Sequence, residues 1–286
     1  MMKMFLTLLA TGAIAIQVTQ TFALPPGDGF DFANFSSTAG LNLVGDTAQF
    51  NTRLRLTPAE FGKVGGAWFS DRQRVIGGFR TSFQFEVSQP DPNFGADGFA
   101  FIVQDDSATA LGAGGSSLGF MDIGDGPGLD NFLAVEFDTH NSGITFDTNG
   151  NHIAIQTRRK NPPKDRQFLG SATPPFSIQG GGVHSAQIIY ESLVLSVFVD
   201  NEVSPLLAID LDLAALLDSA DGKAWVGFTG ATGGAWENHD ILSWSFTSSR
   251  IPEPGTLFLA LPCLAFAACR LRRTRMSPDP HGSLAA

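Results

Sequence analysis

The stretch Ala134–His152, AVEFDTHNSGITFDTNGNH, joins an apolar strand to a loop of Asn, Asp, Gly and Thr. Side chains two apart on a strand share a face, so Glu136 and Asp138 converge while Val135 and Phe137 point the other way. The loop then returns Asn141, Asp147 and His152 to the same neighbourhood. Carboxylate and amide oxygens suit hard cations such as calcium, and a histidine nitrogen beside carboxylates suits a borderline transition metal. A paired-ion site is therefore chemically reasonable. The same letters also describe an acidic strand followed by an ordinary Asn/Gly-rich loop, and the surrounding chain has to decide between the two.

Outward from this stretch, short apolar runs are separated by clusters of Gly, Pro, Asn and Asp. Phe79 to Val87, Phe99 to Val103, Phe132 to Phe137 and His152 to Ile155 read as strands, as do His184 to Tyr190, Leu193 to Val199, Ala224 to Phe228 and Ile241 to Phe246. Alternation as in Phe83-Gln84-Phe85-Glu86-Val87 buries every second residue between two sheets, which predicts an all-β sandwich or jelly roll. Tyr190-Glu191-Ser192-Leu193 reads as a tight hairpin, and Leu211 to Leu217 as a two-turn helix in a connection. No internal repeat or linker precedes Arg250, so one domain over residues 24–250 is expected.

Composition agrees: 25 Phe, 32 Gly and 16 Pro among 286 residues, with 16% charged, favour strands and turns over long salt-bridged helices. A formal net charge of −10 leaves no basic patch for phosphates and argues against a nucleic-acid partner. Residues 1–23 read as a secretory signal peptide: Lys3, an apolar run, then Thr21-Phe22-Ala23 as a small-residue cleavage site. Both cysteines, Cys263 and Cys269, lie near the C-terminus, so the expected domain has no disulfide and relies on core burial and bound ions. At that end, Pro252-Glu253-Pro254, an apolar run from Thr256 to Cys269 and the cluster Arg270, Arg272, Arg273 and Arg275 resemble a PEP-CTERM sorting signal. That resemblance, over residues 251–275 with a polar tail at 276–286, implies several things about handling of the chain. They are a transmembrane helix, processing by an exosortase-type enzyme, transient inner-membrane anchoring, and delivery to the surface or exterior of a Gram-negative bacterium.

Several segments fall in one order that resembles the legume-type (L-type) lectin family. They are Gly95-Ala96-Asp97-Gly98-Phe99-Ala100-Phe101, Ala134-Val135-Glu136-Phe137-Asp138-Thr139 and His152-Ile153-Ala154-Ile155. To these add Ala224-Trp225-Val226-Gly227-Phe228 with Ala231-Thr232-Gly233, and His239-Asp240-Ile241-Leu242-Ser243-Trp244-Ser245-Phe246. The resemblance implies a concanavalin-like jelly roll of two antiparallel sheets that binds a glycan or exopolysaccharide without catalysis, in a depression beside two ions. By position it implies Glu136, Asp138, Asp147 and His152 around a transition metal such as Mn2+. Asp138 and Asp147, the His140 carbonyl and an asparagine amide would surround Ca2+. Asn141 stands one place before the family's usual asparagine position, which here is Ser142. The resemblance further implies that Asp97 accepts hydrogen bonds from two sugar hydroxyls after a cis Ala96–Asp97 peptide. It also implies that Gly115 belongs to a glycine loop donating to the sugar, and that Trp236, in the loop Gly233 to Asn238, bears on specificity together with Asn141. Family members often associate, so the resemblance leaves open both a single chain and a homo-oligomer.

Two other classes share this outline. Jelly-roll glycoside hydrolases carry Glu-x-Asp-x-x-Glu on their catalytic strand and need two carboxyl groups flanking the scissile bond. Here Glu136-Phe137-Asp138-Thr139-His140-Asn141 ends on an amide, which cannot donate the proton, so no enzyme is expected. A structural matrix protein that keeps the fold without binding sugar is the other reading, and Ser142 is the residue that favours it.

Overall fold

The computed structural model describes residues 29–92, 94–122, 128–143, 147, 149–159, 166–200, 202–217 and 219–249. Within them the chain forms β1 (Gly29–Phe32), β2 (Leu41–Gly45), β3 (Ala48–Phe50), β4 (Arg53–Thr57), β5 (Val64–Phe69), β6 (Gln73–Arg74), β7 (Phe79–Ser88) and β8 (Gly98–Gln104). There follow β9 (Phe132–Asp138), β10 (His152–Arg158), β11 (Gln167–Ala172), β12 (Val183–Glu191), β13 (Val194–Val199) and β14 (Leu207–Asp210). The helix α1 (Leu213–Leu217) precedes β15 (Lys223–Ala231) and β16 (Asn238–Ser248).

Alternation builds two layers. One sheet runs β14-β13-β12-β7-β16-β4-β3 with β1 also on β16, and the other runs β11-β10-β9-β8-β15-β5-β2 with β6 also on β15. All their ladders are antiparallel, so the chain is a two-sheet antiparallel jelly-roll sandwich. Phe83 and Phe85 on β7 meet Phe99 and Phe137 from the facing sheet in one buried cluster, with the Phe99 and Phe137 rings stacked at 4.8 Å and 3°. Each such ring, fully buried, contributes on the order of 1.5–3 kcal/mol by leaving water.

The other face of β9 is buried as well, and this is what makes the site deep. Ala134 and Phe132, on the side of Glu136 and Asp138, pack under Trp68, Leu118, Phe120, Met121 and Leu129. Connections from the β8–β9 stretch therefore cover the outer surface of this sheet, and all seven residues of β9 are buried.

One local reading changes in the structure, and one is found as expected. The helix is α1, Leu213–Leu217, two residues shorter than expected at its start: Leu211 is held as extended chain by its N–H donating to Leu193 O (2.8 Å) and its carbonyl accepting Tyr190 Oη–H (3.1 Å). Asp212 then caps the turn, accepting Ala215 N–H at 3.0 Å. The hairpin turns on Ser192 and Leu193, both at positive φ (53° and 64°), the signature of the tight turn that matches strand twist.

The expected transmembrane helix is corrected by the same element inventory: among the described residues no helix is long and apolar enough to cross a membrane. The segments read as signal peptide (1–23), sorting signal (251–275) and polar tail (276–286) lie outside the described residues.

Candidate metal centre

Strand register assembles the cluster. β10 pairs with β9 so that His152 lies opposite Asp138 and Ala154 opposite Glu136, while β8 flanks β9 on its other side with Gly98 opposite Asp138. Gly98 makes that approach possible. Its φ is +134°, and a Cβ there would sit 2.3 Å from Phe137 O.

Asp138, Asp147 and His152 each present one ligand atom, and these atoms lie within 4.8 Å of one another. Glu136 adjoins them, with Oε1 3.7 Å from His152 Nε2 and Oε2 accepting Gln156 Nε2–H at 2.6 Å. His152 Nδ1 is 2.6 Å from the Asn149 carbonyl, which accepts only if Nδ1 carries the proton, so Nε2 is left aimed into the acidic cluster. His152 Nε2 and Asp147 Oδ1 are buried and have no hydrogen-bond partner. Two orphaned buried polar atoms facing one carboxylate-rich point are costly unless a cation satisfies both, and an O/N donor set of this kind suits calcium or manganese.

The electrostatics agree. Burial and then the neighbouring Glu136 charge push Asp138 up to about 8, because a second anion in a dry corner resists ionising. His152 is raised to about 9: burial opposes its charge but is outweighed by the adjacent carboxylates, Glu136 at 3.7 Å first and then Asp138. Without a cation, the site holds protons in its place.

The rest of the expected set divides. His140 is half-buried, and its N–H donates to Asp138 Oδ1 at 2.8 Å. Asn141 is exposed, with its side-chain oxygen accepting Gly143 N–H at 2.9 Å in a local turn. Ser142 N–H donates to Asp147 Oδ2, so the residue in the family's asparagine position holds that carboxylate through its backbone.

Beside the cluster lies Asp97, only 6% exposed, after a cis Ala96–Asp97 peptide. Its N–H donates to Ala231 O (3.1 Å) and its carbonyl accepts Thr139 N–H (3.0 Å), which ties it to both neighbouring strands. Its Oδ2 is buried without a partner, and burial raises its carboxyl to about 6. A Cβ on Gly233 would come within 2.9 Å of Asp97 Oδ2 and 3.4 Å of Gly115 Cα, so Asp97, the Gly115 loop and the Gly233 loop come together at one point. Gly115 has φ +63° and open space where a side chain would be, and its N–H donates to Thr232 O at 3.2 Å. Trp236 is half-buried, and its carbonyl accepts Asp91 N–H at 2.8 Å, stitching the loop before Asp97 to the loop over residues 233–238.

Two residues escaped the sequence reading. Phe94 is 56% exposed and stacks on His140 at 5.4 Å and 22°, putting an aromatic face on the rim. Glu237 is fully buried, bonded through Oε1 to Thr139 Oγ1 and His239 Nε2 (3.2 Å), while His239 Nδ1 reaches Thr57 Oγ1 at 2.6 Å. That chain fixes the end of the metal strand to the start of β16. The visible signals were an aromatic just before GADG and an acid directly after Trp236.

A two-sheet jelly roll with an acidic/histidine cluster beside a buried aspartate defines a lectin-type sandwich. The legume lectin domain matches residues 28–257, and the chain belongs to that family. A seed lectin of Styphnolobium japonicum is 33% identical over 245 residues, covering 77% of this chain and 78% of that protein. A probable L-type lectin-domain containing receptor kinase S.7 of Arabidopsis thaliana is 33% identical over 184 residues; the match covers 60% of this chain and 26% of the kinase's length. Among solved structures, winged bean acidic lectin complexed with methyl-α-D-galactose superposes with a TM-score of 0.63 at 28% identity, covering 77% of this chain and 98% of the lectin. The chain is a non-catalytic, carbohydrate-binding lectin domain, which disposes of the hydrolase reading. The expected location, a Gram-negative cell surface reached through an inner-membrane anchor, is corrected: these relatives are plant lectins, and no membrane-crossing helix exists among the described residues.

Proposed function

We propose that this chain binds a glycan in the depression over Asp97, and that binding depends on calcium and a transition metal such as Mn2+ at the adjacent cluster. Glu136, Asp138, Asp147 and His152 would hold the transition metal, with Asp138, Asp147 and the His140 carbonyl toward calcium. The ions would supply positive charge that keeps these carboxylates ionised. The observation that carries the reading is a set of three buried unpartnered atoms: His152 Nε2 on β10, Asp147 Oδ1 in the loop before it, and Asp97 Oδ2 directly before β8.

The chain's own residues then account for recognition. A carboxylate accepts only, so Asp97 takes hydrogen bonds from sugar hydroxyls, and bonds to a charged, desolvated acceptor are worth roughly 1.5–3 kcal/mol. The glycines at 115 and 233 let a ring approach without a side chain in the way, and the exposed Phe94 face beside His140 offers apolar contact to its C–H surface. The matrix-protein reading rests on Ser142, but that residue's backbone secures Asp147, so its place in the loop supports the ion site. Isothermal titration of the metal-stripped full chain with Ca2+ and Mn2+, then with a glycan panel, tests the proposal. Saturable ion binding followed by ion-dependent glycan binding is expected. Absence of ion binding would sink it.

A further inference from the structure

The outer face of the other sheet carries a second groove, of about 340 Å³, that shares no residue with the metal centre. Cross-strand register aligns its lining in rows. Asp31 on β1 lies opposite Ser245 on β16, which lies opposite Ser82 on β7, then Gln187 on β12 and Phe198 on β13. A shorter row beside it joins Ser243, Gln84 and Ser185. Serines occupy the middle strands, while Asp31 stands at one end and Phe198 and Glu202 at the other. Short side chains between longer ones make a trough, and at the usual spacing of about 4.8 Å per strand the five-strand row extends roughly 19 Å.

We infer that this trough is a second, metal-independent binding site for an extended, uncharged oligosaccharide. Its centre offers hydroxyl and amide groups that both donate and accept, its ends offer carboxylates that accept from hydroxyls, and Phe198 supplies one apolar face. None of the lining residues is Lys, Arg or His, so an anionic glycan finds no counter-charge. A second copy seated face to face would bring the carboxylates of both Asp31 and both Glu202 side chains into one interface, on a chain already at −10. A neutral polyhydroxylated chain pays neither penalty.

The test titrates the full chain in EDTA, with Asp97→Asn in the background, against cellohexaose, xylohexaose and maltohexaose, read by amide chemical shifts. Those two conditions silence the Asp97 depression, so a result here stands apart from the proposed primary site. At least one hexasaccharide is expected to shift amides along the Ser245–Ser82–Gln187 row, and the shifts are expected to weaken at least fivefold in Phe198→Ala and in Gln84→Ala, both half-buried or exposed positions. No shift on this row with any of the three would overturn the inference. So would shifts caused only by a Lys-rich peptide, or a sedimentation change showing that the face pairs two copies.

Discussion

His152 stands directly across the β9–β10 ladder from Asp138, with Nδ1 held 2.6 Å from the Asn149 carbonyl and Nε2 buried without a partner. The backbone carbonyl therefore decides which nitrogen is free. His152→Ala is expected to weaken Mn2+ binding by more than the 10–100-fold typical of losing only a supporting partner. Titration calorimetry on wild type and variant checks it, and an unchanged Mn2+ affinity would remove His152 from the ligand set.

Stability of the metal-free protein is expected to fall as pH rises. Asp138 goes from an ordinary value near 4 in the unfolded chain to about 8, so the cost of ionising it in the fold is felt between those two values. His152, raised to about 9, contributes stability that is complete below about 6.5 and lost as pH rises through 9. Both act in the same direction. Bound ions replace the lost protons, so the gain in Tm on adding Ca2+ and Mn2+ should grow from pH 5 to pH 8. At ion levels of 100 Kd the gain is about 2.7 kcal/mol, or roughly 5–10 °C. Thermal scans with and without EDTA across this range would show it; a gain independent of pH would contradict it.

Asp97→Asn keeps the shape and removes the charge. Glycan affinity should drop by about 100-fold, the loss of roughly 3 kcal/mol of charge-assisted hydrogen bonding, with Tm nearly unchanged. Because burial raises the Asp97 carboxyl, to about 6 in the ion-free chain, and adjacent cations pull it down again, wild-type binding should weaken as pH falls only below 6, by up to about tenfold per unit. The variant's residual binding should lack that step. Affinity measured at pH 5, 6 and 7 distinguishes a carboxylate acceptor from a residue that merely fills space.

Phe94→Ala should weaken glycan binding several-fold, consistent with losing about 0.5–1.5 kcal/mol of aromatic contact, while leaving ion affinity untouched. Its exposure makes misfolding no part of the effect. A glycan panel on the variant reads this directly. Equal affinity for every sugar that wild type binds would take Phe94 off the rim.

Much of this fold was written in patterns that one sequence displays. β7 alternates Phe, Gln, Phe, Glu and Val, and β9 and β10 carry Glu136, Asp138 and His152 at spacings that only a ladder brings together. β5 was hidden because its VGGAWF letters look like a turn. Gly65 is there because a Cβ would lie 2.4 Å from Leu56 O, a crowding that arises only once the two sheets meet. β4, RLRLT, hid its role in its arginines, which point outward to Glu86 and Asp240 at 2.8 Å. Within the site, Glu136, Asp138, Asp147 and His152 stood out as candidates by type and spacing, and Asp97 only through the family resemblance. The turn that engages the Asn141 amide, the Phe94–His140 stack and the Glu237 relay were not, because each depends on where a loop lands.

The most direct measurement is a glycan array probed with the full chain in Ca2+ and Mn2+, repeated after EDTA and with Asp97→Asn. The account predicts a defined set of glycans bound with ions present, with binding to that set lost in both EDTA and the variant. The same set bound with equal strength in EDTA, or by Asp97→Asn, would contradict it.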